Sequence, residues 1–157
     1  MYIYRLTMLA CALLLTACDN PSASAPDTPE GEYSLVTAEG GALPAWIRWV
    51  SEVDMPEFQI TGGTISLDVP DQLQVIVRTR HKDIHGQLMP ARSDTLTGTY
   101  TVQGTDLTLR VNRSTGSFWM LPEATLHENQ RIDAVLEVLL PAYNGYLRRP
   151  VEMRFTR

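Results

Sequence analysis

The chain has 157 residues, 44% of them hydrophobic and 20% charged, with a net charge of -5. That balance describes one globular domain and excludes collagen-like or wholly disordered chains. One lysine, Lys82, stands beside twelve arginines, and no basic run exceeds Arg148-Arg149, so the chain carries no electrostatic footprint for a phosphate backbone and nucleic acid is excluded as a partner.

Arg5 followed by the apolar stretch Leu6 to Ala17 has the form of a secretory signal. At about 1.5 Å per residue the stretch reaches roughly 18 Å, short of the ~30 Å hydrocarbon core, and is too short for a stand-alone membrane span. Leu15-Thr16-Ala17-Cys18 resembles the bacterial lipobox, in which the cysteine becomes the lipidated N-terminus of a mature lipoprotein. The expected organisation is a signal peptide over 1–17, a tether over 18–30 and a folded domain over 31–157. Cys11 leaves with the signal and Cys18 is consumed by lipid, so no disulfide, zinc knuckle or catalytic cysteine is expected. Two or more acyl chains anchor stably where one does not. Loss of Arg5 takes the net charge from -5 to -6. Asp19 resembles the inner-membrane retention signal of enteric lipoproteins, but other bacteria read different residues, so the expectation is an envelope membrane facing the periplasm, inner or outer. Asn20 to Glu30 contains three prolines and no large apolar side chain, the composition of a tether.

Beyond Gly31 the dominant period is two, the mark of half-buried antiparallel strands. Tyr33, Leu35 and Thr37 form a first strand. Residues 45–53 are ambiguous: Pro44 can open a short helix with Trp46, Trp49, Val50 and Val53 on one face, while a strand places Trp46 and Arg48 opposite Ile47 and Trp49; a short helix or irregular lid is the expectation. Phe58 and Ile60 start a strand whose phase slips at Gly62-Gly63 before Ile65, Leu67 and Val69, which suggests a β-bulge. Leu73, Val75, Val77 and Thr79 alternate with Arg78 and Arg80, and Leu96, Gly98, Tyr100 and Val102 alternate with a comb of threonines. Gly104 stands where a tight hairpin needs positive φ, and Leu107, Leu109 and Val111 follow. Phe118 to Leu121 is apolar on both faces, and Ala124 and Leu126 begin one further strand. Ile132 to Leu140 and Val151 to Phe155 close the chain as two strands with Asn144-Gly145, a strong hairpin signal, between them. About eight strands with short connections and no long helix predict an all-β fold, a single antiparallel barrel or strongly curled sheet that removes its exposed edges by closure.

The segments Gly31-Glu32-Tyr33-Ser34-Leu35, Gly41-Ala42-Leu43-Pro44, Ile60 to Leu67, Gly98 to Leu109 and Val151 to Arg157, in that order, resemble the successive signatures of small lipocalin-like bacterial lipoproteins, a largely uncharacterised family. The resemblance implies a compact eight-stranded barrel and apolar-ligand binding, and implies no reaction. The chain departs from the family's pattern at Asp68-Val69-Pro70-Asp71 and in a long connection from Leu140 to Pro150.

Candidate chemistry is sparse. His81 and His85, with Asp83 between, would share a face on a helix, but they lie between two strand patterns and read as a hairpin tip. His127 reads as a surface imidazole. No serine or threonine sits in a strained elbow or a Ser-x-x-Lys pair, and the carboxylate pairs Glu52/Asp54 and Asp68/Asp71 read as turn and flank residues. No enzyme activity, metal or cofactor is expected. The aromatic set is the one candidate binding site: Trp46, Trp49, Phe118 and Trp119 include all three tryptophans and their segments can meet at one end of a barrel, as core packing or as an apolar calyx. Two readings follow, a module that holds a small apolar molecule and a module that docks an envelope protein.

Overall fold

In the segment Leu73–Val77 every second side chain is buried, and this alternation organises the computed structural model throughout. The structure describes residues 29–47, 57–83, 85–104, 106–112, 119–127, 129–142 and 145–157. The signal segment, Cys18, most of the tether, Trp49 and Phe118 lie outside the described residues.

Among the described residues ten strands follow in chain order: β1 (Gly31–Ala38), β2 (Gly41–Ala42), β3 (Ala45–Ile47), β4 (Phe58–Asp68), β5 (Gln72–His81), β6 (Arg92–Gln103), β7 (Asp106–Asn112), β8 (Trp119–His127), β9 (Arg131–Ala142) and β10 (Gly145–Thr156). Eight of them form a hydrogen-bonded path β7-β6-β5-β4-β1-β10-β9-β8, with β2 paired to β1 and β3 to β4. The two ends of the path, β7 and β8, lie against each other. The sheet is thus antiparallel and nearly closed into an eight-strand barrel, in which neighbours around the wall are neighbours in sequence. Only the contact between β1 and β10 joins distant parts of the chain, through the pairs Ser34–Thr156 and Leu35–Phe155.

The inner wall is apolar because strand alternation sends one face inward. Leu35, Phe155 and Ile132 form one inward rung across β1, β10 and β9, while Thr37, Arg154, Asp133 and Thr125 form an outward one. Tyr33, Ile60, Ile65, Leu67, Leu136 and Val151 are among the fully buried side chains. The expected bulge is present: pairing between β4 and β5 shifts between Ile60 and Gly62, leaving Thr61 as the extra residue. That shift lets Ile60 and Gly63 both face inward although they stand three positions apart, and the Thr61 hydroxyl donates to the Arg78 carbonyl at 3.2 Å. Gly104 has φ of +64° in the tight β6–β7 turn, a conformation that costs other residues more.

Three expectations are corrected. Residues 45–47 are a strand, not a helix: Ala45 and Ile47 face the core and Trp46 faces out, paired with Ile60, Phe58 and Gln59 respectively. The unfilled edge of β4 beyond the reach of β1 supplies the ladder partner that a period reading of residues 45–53 leaves out. The connection from Leu140 to Pro150 is not a long loop, because β9 and β10 pair continuously from Ala142–Gly145 to Arg131–Thr156. Pro150 is accommodated there because it lies beyond Met153, the last residue of β10 paired with β1, where one side of β10 makes no ladder with it. The hairpin signal at Asn144-Gly145 stands at the right place, with Gly145 already in the ladder and the turn at 143–144 outside the described residues. The separate strands read at 118–121 and 124–126 are one strand, β8, with a register shift between Met120 and Glu123.

Candidate functional site

The starts of β4 and β8 meet at one end of the barrel. Phe58 and Trp119 pack edge to face, with ring centroids 6.0 Å apart and planes at 78°, a favoured aromatic geometry. Because β4 and β8 stand on opposite sides of the strand order, this pair crosses the interior and plugs that end. Trp119 is 4% exposed.

Trp46 belongs to the other side of the wall. It is 37% exposed and sits in the outward rung Trp46–Gln59–Arg80 across β3, β4 and β5. The structure therefore does not place Trp46 and Trp119 in one pocket: the first is on the outer face, the second among the core. Phe58, which joins the Trp119 segment to β4, is the residue that sequence reasoning missed; its phase with Ile60 was the available signal.

A polar and cationic cluster surrounds Trp46. Lys82 Nζ stands 4.6 Å from the Trp46 ring centroid and 2.7 Å from Glu57 Oε2, an exposed cation–π contact worth about 0.5–1 kcal/mol. Arg78, Arg80 and Lys82 occupy alternate positions of β5 and its continuation, hence one outward row. Among the described residues neither Arg78 nor Arg80 has an ion-pair partner. Lys82 pairs with Leu88 in an isolated bridge across the β5–β6 loop, which brings an exposed leucine beside the lysine.

The His81–His85 segment forms that loop. Asp83 Oδ1 accepts the backbone N–H groups of His85 at 2.9 Å and Gln87 at 2.7 Å, so this carboxylate is spent on the turn. His81 falls in the inward rung with Phe58 and Ile47 at the barrel end, and His85 is exposed. Among the described residues no group of three or more His, Cys, Asp or Glu side chains is placed to hold a metal ion. Asp68 ends β4, and the Asp71 carbonyl accepts the Tyr100 N–H at 2.9 Å. Glu52 and Asp54 lie outside the described residues.

Two grooves open on the outer wall. One, of about 660 Å³, is lined by Glu32, Ser66, Gln72, Gln74 and Thr97. The other, of about 300 Å³, is lined by Thr37, Thr125, Asp133, Glu152 and Arg154. In the second, Asp133 gathers two arginines and a histidine: Arg154 Nε donates to Oδ1 at 2.9 Å, Arg131 Nη2 lies 3.1 Å from Oδ2, and His127 Nε2 lies 3.0 Å from Oδ2 without hydrogen-bond alignment. Partial burial pushes the Asp133 carboxyl up, but the Arg154 hydrogen bond and the charges of Arg131, Arg154 and His127 outweigh it and hold the group below its ordinary value. His127, read from sequence as a lone surface imidazole, belongs to this network.

A folded-state pKa below the unfolded one means that the stabilisation is present above the unfolded pKa and is lost as pH falls through the folded value. Asp133→Asn is therefore expected to lower stability by about 0.5–1 kcal/mol at neutral pH, the range of exposed ion pairs. The gap to the unsubstituted protein should narrow as pH falls below the ordinary carboxylate range. Urea unfolding at a series of pH values checks this, and a gap independent of pH would show that the network charge is not the cause.

Compared with protein-family models, curated proteins and solved structures, the chain finds no match in any of the three. The fold and the site define it as an all-β protein whose nearly closed antiparallel barrel carries its exposed aromatic and unpaired basic groups on the outer wall.

Proposed function

We propose that the protein is a lipid-anchored, periplasm-facing lipoprotein of the bacterial envelope whose barrel is a non-enzymatic binding module acting through its outer wall. The anchor is supported by the Leu15-Thr16-Ala17-Cys18 sequence directly after a twelve-residue apolar stretch. One observation carries the outer-wall reading: Trp46 is held exposed beside Lys82, while Phe58 and Trp119 cross the interior and inward side chains fill it. A rigid exposed aromatic ring with a basic neighbour is a typical anchor of a recognition surface. The Phe58–Trp119 pair also supports a second reading, with an apolar ligand seated at that barrel end in the manner expected of a lipocalin-like protein.

Cys18→Ser is expected to release the protein from membranes, since acylation requires the thiol. Fractionation and palmitate labelling in a bacterial host test the claim; a variant that stays with membranes and labels as before overturns it. Crosslinking from position 46 in the envelope, set beside mass spectrometry of the gently purified protein, separates the two binding readings. A partner captured at position 46 supports the outer wall. A stoichiometric co-purifying lipid, lost in Trp119→Ala with unchanged circular dichroism, supports the interior.

A further inference from the structure

Five large hydrophobic side chains are exposed among the described residues, and three of them cluster at one end of the barrel: Trp46 at 37%, Leu88 at 50% and Met89 at 38%. The pairing makes them neighbours. Lys82 stacks on Trp46 and is bridged to Leu88, which shares its outward face, whereas Met89, whose N–H donates to the His81 carbonyl at 2.9 Å, stands opposite His81 at the barrel end. Beside them runs the outward basic row Arg78, Arg80 and Lys82. Among the described residues, the nearest carboxylates are held: Glu57 is bound by Lys82, which compensates that lysine, and Asp83 is turned into its own loop, so the uncompensated cations of the row are Arg78 and Arg80. A basic row edged by exposed apolar groups stands out on a chain whose net charge is -5.

We propose that this face docks on an anionic phospholipid surface, with Arg78 and Arg80 over the head groups and Trp46 and Leu88 at the boundary with the acyl chains. The charges are complementary to such a surface, which attracts basic side chains close to it. Tryptophan and arginine are also residues that settle at a membrane interface, the ring half in hydrocarbon and the guanidinium in the head groups. An acidic protein partner would satisfy the basic row as well, but it gives no reason for Trp46 and Leu88 to stand exposed beside it.

The inference rests on the anchored reading above, and the tether length permits it. Gly31, where β1 begins, pairs with Leu67, whereas Trp46 pairs with Gln59. The two points lie roughly 26 Å apart along β4 at about 3.3 Å per residue. The chain from Cys18 to Gly31 spans up to about 45 Å when extended, enough for the barrel to lie on its side against the membrane that holds it. Docked this way, the barrel turns the β9–β10 wall, with its Asp133 network, toward the periplasm.

The test uses the full-length protein purified from bacterial membranes. It is reconstituted into vesicles of phosphatidylcholine alone or mixed with phosphatidylglycerol, each containing lipids brominated near the head of the acyl chain. Flotation and the mass of the N-terminal fragment report anchoring; bromine quenching of tryptophan emission reports docking. The expected result is flotation with both vesicles but extra quenching only with phosphatidylglycerol, absent in Trp46→Phe and reduced by salt. Each lost basic side chain should lower the docked-to-free ratio about fivefold, so Arg78→Glu with Arg80→Glu should abolish the extra quenching with circular dichroism unchanged.

Equal quenching in the two vesicles, or quenching insensitive to Trp46→Phe, overturns the proposal. So does an Arg80-dependent protein crosslink without lipid quenching, which would assign the face to an acidic protein. An unacylated N-terminus overturns the anchor reading alone; Trp46-dependent quenching by phosphatidylglycerol vesicles then still decides the face.

Discussion

Gly98→Ala is expected to destabilise the barrel by about 3 kcal/mol, the upper range for overpacking a filled site. A Cβ at this position would collide with the Arg110 carbonyl oxygen and stand 2.9 Å from the Val111 Cα. Both obstacles are backbone of β7, so no side-chain rotation relieves them. The cause is the curvature of β6, which pairs with β5 over Arg92–Thr99 and with β7 over Thr97–Gln103. Gly98 lies in the overlap, where the strand turns the corner of the barrel and β7 closes over it; glycine is the residue that lets another backbone come so near. Alanine must push β7 outward and weaken the Gly98–Val111 rung. For a domain of this size the melting temperature should fall by about 10–15 °C. Gly41→Ala is the control: its nearest neighbour, the Ala38 carbonyl oxygen, is 3.6 Å from the added Cβ, an ordinary contact, and thermal unfolding should hardly change. Equal melting temperatures for the two variants would mean that the β6 corner relaxes freely.

Phe155→Ala should cost about 3–5 kcal/mol, as large-to-small changes in closed cores do. Phe155 is 0% exposed and stands between Leu35 on β1 and Ile132 on β9. Its ring packs under the contact between β1 and β10, the only rung of the wall that joins the two ends of the chain. The other main contacts follow the chain from strand to strand, β1 reaching β4 by way of β2 and β3, so a cavity there loosens the one closure that joins the two ends of the chain. Urea unfolding should show a midpoint lower by about 2 M, and hydrogen exchange should find β1 amides losing protection before those of β4–β6. Phe155→Leu, which leaves less empty volume, should recover much of the loss. If β1 protection is unchanged in Phe155→Ala, closure rests elsewhere.

These two residues show why some of the fold is legible in the sequence and some is not. Phe155 is apolar at an inward position of a strand with period two, and its burial follows from alternation alone. Gly98 occupies an equally regular inward position, yet its need for a missing side chain comes from β7 passing overhead, a relation between strands that local pattern does not carry. Arg78 and Arg80 likewise read from sequence as the wet side of a strand, which they are. Their significance depends on Lys82, Leu88 and Trp46 arriving on the same face from the β5–β6 loop and from β3.

Residues a few positions apart were enough to specify the all-β class, most strand phases, a bulge beside the Gly62-Gly63 phase slip and the Gly104 turn, but not the second shift at Val36 that sends Thr37 outward. Tertiary structure alone decided the rest. The strand at Ala45–Ile47 exists because β4 offers an unfilled edge, and β10 extends back to Gly145 because β9 pairs along its whole length. The tryptophans separate, Trp46 outside and Trp119 inside, because a strand that pairs at the wall sends successive side chains to opposite faces. Which face each one takes was set by the register with β4 and β9, and register is a property of the assembled sheet.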